Sequence, residues 1–511
     1  MTALAEPHPA VDRAEEIVRF TRWSARRYNR ARTSLPDLFV DVYVSVLALG
    51  CAAALAVSFV LALRGEFAKR ATSDGGLITD PVFVLPSQAL EMMLTFTALA
   101  AVVVLSRRLG PLALGGPESA WWLSLPLDRR PMVWGPYLRR TALSGAGAAA
   151  VYAPFSILTA LERSPLTHAY AAATFGAAVA AVIGIAGLLQ ERPGAVGLKV
   201  AAGVVVAGGA VGAALVPSIW TAGAAVVLAV LLVALVSPRA GLVPGSELAR
   251  AGAVSGHVGA SFYFMDTNEL LRAVRAENRA AHRRGSRFFA RPSRRPFAAL
   301  LRADIVAFVR LHPLPTTAVL WLVACAAVMM VDGGLPLFAQ LAVLGIAGCA
   351  ASSGFGAVAR RAALVPELDG LVPVSAALVR TSRAFMPAVV MTLWMILLGA
   401  VLVVLGAAGP MLILLTGLAG IGMGAGTVRG ATRPSTDWSA PPVETPFGPV
   451  PRAQLASLMR GVDVTVLSLM PVLLTLYLGA VALPVLLVQG VISVVVFLVV
   501  AMTNPHDKAS A

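Results

Sequence analysis

The chain has 511 residues, of which 58% are hydrophobic and 13% charged. Soluble domains set about 45–50% apolar residues against about 25% charged ones, so this imbalance excludes a large soluble core and implies an all-α polytopic membrane protein. The net charge of +15 points first to nucleic acid, but the positive residues collect in loops on one side of the expected spans, and no nucleic-acid partner is expected.

Residues 1–38 form a basic lead. Ile17, Phe20 and Trp23 recur among Arg19, Arg22, Arg26 and Arg27, the pattern of a helix lying on a membrane surface and drawn to anionic headgroups. A solvated basic arm is the alternative. The first apolar run starts near Phe39 and continues for a full span, so no cleavable signal peptide is read here.

A span needs roughly 20 apolar residues, and twelve stretches qualify: 40–63, 83–105, 139–161, 168–190, 198–216, 218–236, 313–331, 336–358, 385–407, 409–428, 464–483 and 485–503. Tight hairpins at Pro217 and Pro484 join the fifth to the sixth and the eleventh to the twelfth. Glycine and alanine are dense in several spans, for example Gly345 to Gly348 and Gly417 to Gly426, which lets helix backbones approach closely. The spans divide into two six-helix halves, 39–236 and 313–503, with a linker at 237–312 and a tail at 504–511. In the linker, Asp266 to Glu269 reads as a capping box, and an arginine-rich run covers Arg283 to Arg295. Phe297 to Arg310 sets Leu301, Ile305 and Phe308 on one helical face, a second interfacial helix. Residues 429–460 hold six prolines and read as a stiff linker or a recognition segment.

With the N-terminus inside, all but four of the 41 Lys and Arg residues fall on the inner side; Arg64, Lys69, Arg70 and Arg163 are the exceptions. This bias gives cytoplasmic N- and C-termini in a cell membrane. The arginine-over-lysine bias and the abundant alanine and glycine suggest a bacterial source with GC-rich codons.

No catalytic signature is present. None of the three lysines sits in a phosphate-binding loop. The histidines His8, His168, His257, His282, His312 and His506 are scattered without metal-site spacing. Cys51, Cys325 and Cys349 lie inside apolar segments and offer neither disulfide nor metal framework. No cofactor, metal or enzymatic activity is expected. Inside the spans one acid stands out: Glu91 reads either as lining a substrate path or, if its helix starts near Ala89, as an interfacial residue. Asp41 and Asp463 fall at span ends.

Two loops repeat a pattern. Between the second and third spans, Glu118 precedes Trp121, Trp122 and Leu125-Pro126-Leu127-Asp128-Arg129-Arg130. Between the eighth and ninth, Pro366-Glu367 precedes Leu371-Val372-Pro373-Val374-Ser375. An apolar-Pro-apolar motif between spans two and three of each half, behind an amphipathic lead, resembles ABC-2 type exporter permeases. In that family this loop docks in a groove of a separate ATPase subunit. The resemblance implies coupling roles for Glu118, Leu125, Pro126, Asp128, Arg129 and Arg130, and for Glu367, Val372, Pro373, Val374 and Ser375. It also implies an ATPase partner in two copies and export across the inner membrane; the sparse polar groups within the spans favour an apolar or amphipathic substrate. The second loop departs from the pattern in carrying Ala376-Ala377 where arginines follow in the first. Two other readings stay open: a six-plus-six carrier driven by an ion gradient, and a non-transporting membrane scaffold.

Overall fold

The computed structural model describes residues 9–32, parts of 39–65, 77–78, 84–263 except 161, 295–312, 316–331, 337–432, 443–445, 448–450 and 461–503. The chain is an all-α polytopic membrane protein whose described β-structure is one three-residue hairpin, Val443–Thr445 with Gly448–Val450. A helix stands at each of predicted spans two to twelve. Among the described residues, eight helices are long and apolar enough to cross a membrane, and three shorter apolar ones stand at spans seven, eight and eleven. The first span lies partly outside the described residues, and those described within 39–65 are helical. The capping box near Asp266, the arginines from Arg283 to Arg294 and most of the proline-rich segment lie outside the described residues.

Two compact units emerge, Met1–Lys69 with Pro86–Ala260, and Arg70–Leu85 with Ser261–Ala511. Residues 237–260, read from sequence as linker, pack within the first unit. Leu85 belongs to the second, where its N–H donates to the Met330 carbonyl at 2.6 Å.

The first unit holds α1 (Pro9–Arg32), α2 (Ser87–Leu109), α3 (Gly116–Trp122), α4 (Arg130–Thr159), α5 (Pro165–Glu191), α6 (Val196–Ala214), α7 (Ile219–Val236), a 3-10 turn (Ser237–Leu242) and α8 (Gly245–Tyr263). Ser164 starts α5 by accepting the Thr167 N–H at 3.3 Å ahead of Pro165, a standard N-cap with proline at the first turn. Helix α5 is apolar all round, as a helix surrounded by others must be. It packs against α2, α4, α6 and α7. At its crossing with α4, a Cβ on Gly176 would stand 2.5 Å from the Gly145 carbonyl oxygen. Only a missing side chain permits that approach.

The second unit holds α9 (Pro296–Leu311), α10 (Thr316–Met329), α11 (Leu337–Ser353), α12 (Ala357–Ala362), a 3-10 turn (Pro366–Leu371), α13 (Ala376–Val404), α14 (Met411–Ala431), α15 (Val462–Leu478) and α16 (Leu483–Met502). Its packing repeats the first. Helix α14 is central and touches α11, α13, α15 and α16, just as α5 touches α2, α4, α6 and α7. The surface helices also correspond, α1 on α4 and α9 on α13. Within each unit, then, one central helix is touched by four others in the same chain order.

The two surface helices use their apolar faces differently. In α1 the buried residues are Ala14 and Val18, while Phe20 and Trp23 are exposed beside each other and Arg27 lies over the Trp23 ring. The helix thus packs on its own unit with small residues and leaves its aromatic stripe outward. In α9 Phe308 is buried and Leu301 and Ile305 half-buried, the face anticipated.

Helices α4 and α13 have 30 and 29 residues. At about 1.5 Å per residue each runs about 45 Å, against a hydrocarbon core of about 30 Å. Both start earlier than the apolar run alone suggests, directly after the two proline motifs.

Candidate functional site

The first elbow runs from 110 to 129. Gly110 ends α2 at φ +69°, a left-handed turn that glycine adopts without strain. Residues Leu112 to Leu114 are then buried, and their backbone needs partners. Gln190 supplies two, donating to the Leu112 carbonyl at 2.8 Å and accepting its N–H at 3.1 Å. Leu114 donates to the Leu248 carbonyl at 3.2 Å. Helix α8 comes so close behind this stretch that a Cβ on Gly252 would clash with the Leu114 carbonyl oxygen.

Glu118 caps α3 by accepting the Gly115 N–H at 2.9 Å. Asp128 accepts the Arg130 N–H at 3.0 Å where α4 begins. Arg129 donates to the Val243 carbonyl at 3.3 Å and Arg130 to the Ser237 hydroxyl at 2.9 Å. These four charged residues therefore hold the elbow's own shape and its backing. The groups facing outward are apolar: Trp121 is 77% exposed, and Leu125 and Pro126 are exposed beside it.

The second elbow runs from 354 to 375. Glu367 and Pro373 are exposed, Val372 and Val374 half-buried. Ser375 caps α13 by accepting the Leu378 N–H at 3.4 Å. Leu364, Val365, Leu368 and Leu371 are exposed, Leu371 to 78%.

Both prolines sit in the same turn. Leu125 N–H donates to Trp122 at 3.2 Å and Leu127 N–H to Leu125 at 2.9 Å; Val372 N–H donates to Asp369 at 3.3 Å and Val374 N–H to Val372 at 2.8 Å. Each pattern places a proline at the centre of a three-residue turn, preceded by a four-residue one. Each is followed by a side chain that accepts a backbone N–H at the start of the longest helix of its unit, Asp128 from Arg130 of α4 and the N-cap Ser375 from Leu378 of α13. Residues 125–128 and 372–375 thus correspond position for position.

The second elbow carries an anchor that the first does not. Asp369 forms a two-pronged ion pair with Arg383 of α13, one contact at 2.7 Å. The neighbouring Ser382 hydroxyl donates to Asp304 of α9 at 2.5 Å. Burial raises the Asp304 carboxyl above its ordinary range, while the Ser382 bond and the Arg383 charge pull the other way. The ring nitrogens of His312 lie 3.0 and 3.1 Å from the Phe308 and Gly354 carbonyl oxygens, joining α9 to the elbow's start.

The remaining site residue, Glu91, lies in the first unit, one turn into α2, 1% exposed. The helix starts near the point at which an interfacial carboxylate was anticipated, yet the carboxylate is enclosed. Arg163, between α4 and α5, donates to its Oε1 at 2.7 Å. Arg163 also donates to Ser156 Oγ at 3.3 Å and to the Ala214 carbonyl. The Tyr152 hydroxyl donates to the same carboxylate at 3.4 Å and lies 3.1 Å from the Thr95 hydroxyl, and Ser156 contacts His168 Nδ1 at 3.0 Å. Sequence reasoning missed Arg163. Its signal was there: one of four positives on the sparsely charged side, close to the only acid read inside a span.

At the other span ends, Asp463 accepts from Gly461 and Val464 and pairs with Arg429 at 3.1 Å; Asp41 lies outside the described residues. Among the described residues no cluster of His, Cys, Asp and Glu could hold a metal ion. A family model described as a family of unknown function, DUF6297, matches residues 86–441, a range that takes in both elbows and the Glu91–Arg163 pair. No curated protein and no solved structure matches the chain.

Proposed function

The chain belongs to the DUF6297 family, and we propose that it is the transmembrane subunit of an ABC-type exporter, powered by a separate ATPase that seats on the two elbows. In this reading the chain makes twelve spans with both termini in the cytoplasm of a bacterium, and carries an apolar or amphipathic substrate across the inner membrane. One observation carries it: two elbows with the same proline turn, each exposing apolar side chains, each joined without a break to a helix about 45 Å long. A short apolar knob rigid with a long helix is a lever. Proline cannot continue a helix from the preceding turn, so it fixes where the lever bends. Two levers in one chain match two nucleotide-binding subunits, and burying a leucine or tryptophan from each supplies about 1.5–3 kcal/mol per side chain toward docking. A gradient-driven carrier is the second reading, and the buried Glu91–Arg163 pair is the observation that favours it.

The test is capture of partners by the intact chain from its native membrane. The unaltered chain should bring down an ATPase, and Leu125→Asp with Pro126→Gly should lose it. If no ATPase comes down, or if the variant captures it equally, the exporter reading fails; substrate uptake that follows the proton gradient without any ATPase would install the carrier in its place.

A further inference from the structure

Three helices of the first unit aim oxygens at a single positive charge. Glu91 Oε1 comes from α2, Ser156 Oγ from α4 and the Ala214 carbonyl from the last residue of α6. A carbonyl at a helix C-terminus has no partner within its helix and carries the negative end of the helix dipole. Every group in this set accepts, so the helices build a site for a cation. The cation now in it is not theirs: the guanidinium belongs to Arg163, in the connection between α4 and α5. Beside it His168 is buried, and its Nε2 has no partner among the described protein groups.

A structural staple is the plain explanation for such a pair, and the duplicated architecture argues against it. One turn into α11, at the place of Glu91, stands Gln340, a neutral amide that accepts the Leu77 N–H at 2.8 Å. The connection after α13, at the place of Arg163, is Leu405 to Pro410 and holds no charge. The same packing thus forms in the second unit without an ion pair at this position. Buried pairs are also poor stabilisers, because desolvating both charges offsets most of their attraction.

We propose that the oxygens of Glu91, Ser156 and Ala214 form a binding site for the cationic head of an amphipathic substrate, an ammonium or guanidinium, with Arg163 as a tethered occupant that the substrate displaces. With one carboxylate present the site takes one cation at a time, so the ligand replaces Arg163 and does not join it. That the ligand is cargo rests on the export reading; that the site binds cations does not.

The experiment is direct binding of octylguanidinium to the full chain in phosphatidylcholine nanodiscs, with octyl sulfate as the anionic control. A tethered group that fills the site nine-tenths of the time weakens apparent affinity about tenfold. Arg163→Ala should therefore bind octylguanidinium about tenfold more tightly than the unaltered chain. Glu91→Gln combined with Arg163→Ala should lose that gain, and Arg163→Lys, which keeps a tethered cation, should behave as the unaltered chain. Octyl sulfate should gain nothing. If Arg163→Ala does not fold, Arg163→Gln makes the same comparison. Equal affinity with and without Arg163, a gain that survives loss of Glu91, or an equal gain for the sulfate overturns the proposal. No ATPase is present in this assay, so its failure and the failure of partner capture are separate results.

Discussion

Glu91 and Arg163 are 1% and 14% exposed at their side chains, so water does little to soften the loss of either. Removing one member of such a pair leaves an unpaired charge and costs about 3–5 kcal/mol, whereas replacing both by apolar groups of similar volume is often neutral or stabilising. We expect Glu91→Leu and Arg163→Met each to lower the thermal unfolding midpoint sharply, and the double variant to recover most of the loss. A double variant that recovers nothing and stays as unstable as either single would mean that the pair is a staple after all. Each member was legible alone, an acid inside a span and a basic residue on the sparsely charged side. Their pairing was not, because it depends on how α2 and the α4–α5 connection meet across 72 residues of sequence. Asp304 of α9 is a second acid whose surroundings only the fold brings together. Its folded-state proton affinity is raised by burial, so the folded state holds a proton over a window in which the unfolded chain has released it. Stability must then fall as pH rises from the ordinary aspartate range through the raised value, and level off above it. Asp304→Asn should flatten this part of the stability–pH curve while keeping a partner for Ser382. Parallel curves for the two proteins would assign the slope to other groups.

At the scale of elements, the apolar runs located the helices because a membrane span is long and compositionally plain. Their starts were read late at α4 and α13. In both, the first two to three turns mix arginines with apolar residues, and helix geometry there is set by the cap and by packing against α1 or α9. The glycine run from Gly417 to Gly426 was legible as a helix interface. Which glycines meet the neighbour was not, since that depends on rotation of α14 about its axis. The contacts answer it: a Cβ on Gly424 would lie 2.3 Å from the Ala388 Cα, and one on Gly420 would lie 2.4 Å from the Thr392 Cα. Both obstacles are backbone and cannot swing aside. Gly424→Leu should therefore force α13 and α14 apart and cost well over the 1–3 kcal/mol typical of an overpacked site. Gly345→Leu on α11 is the control, because a Cβ there meets nothing within 4 Å. Equal unfolding midpoints for the two variants would contradict the packing of α14 described above. The elbows were legible as apolar-Pro-apolar motifs. The backing of the first by α8 was not, since a backbone bond between distant segments such as Leu114 and Leu248 leaves no pattern in composition.

For the molecule as a whole, the repeat of packing in the two units has a consequence for sidedness. A unit that begins and ends on one side of the membrane contains an even number of spans, and the proposed six per unit would bring both elbows to the same face. In the proposed reading that face is cytoplasmic, since it would carry every basic residue except Arg64, Lys69, Arg70 and Arg163. A carrier and an exporter share this topology, but an ATPase can seat on both elbows only if neither lies outside. The check starts from a chain in which Cys51, Cys325 and Cys349 are replaced by alanine, with one cysteine then introduced at a time. Ser124→Cys in the first elbow and Gly370→Cys in the second should react with a membrane-impermeant maleimide only after the cells are opened. Ser218→Cys, at the α6–α7 turn, should react in intact cells. Labelling of one elbow from outside would break the six-plus-six arrangement and remove the second lever. Labelling of both from outside would invert the chain and leave an ATPase nowhere to bind.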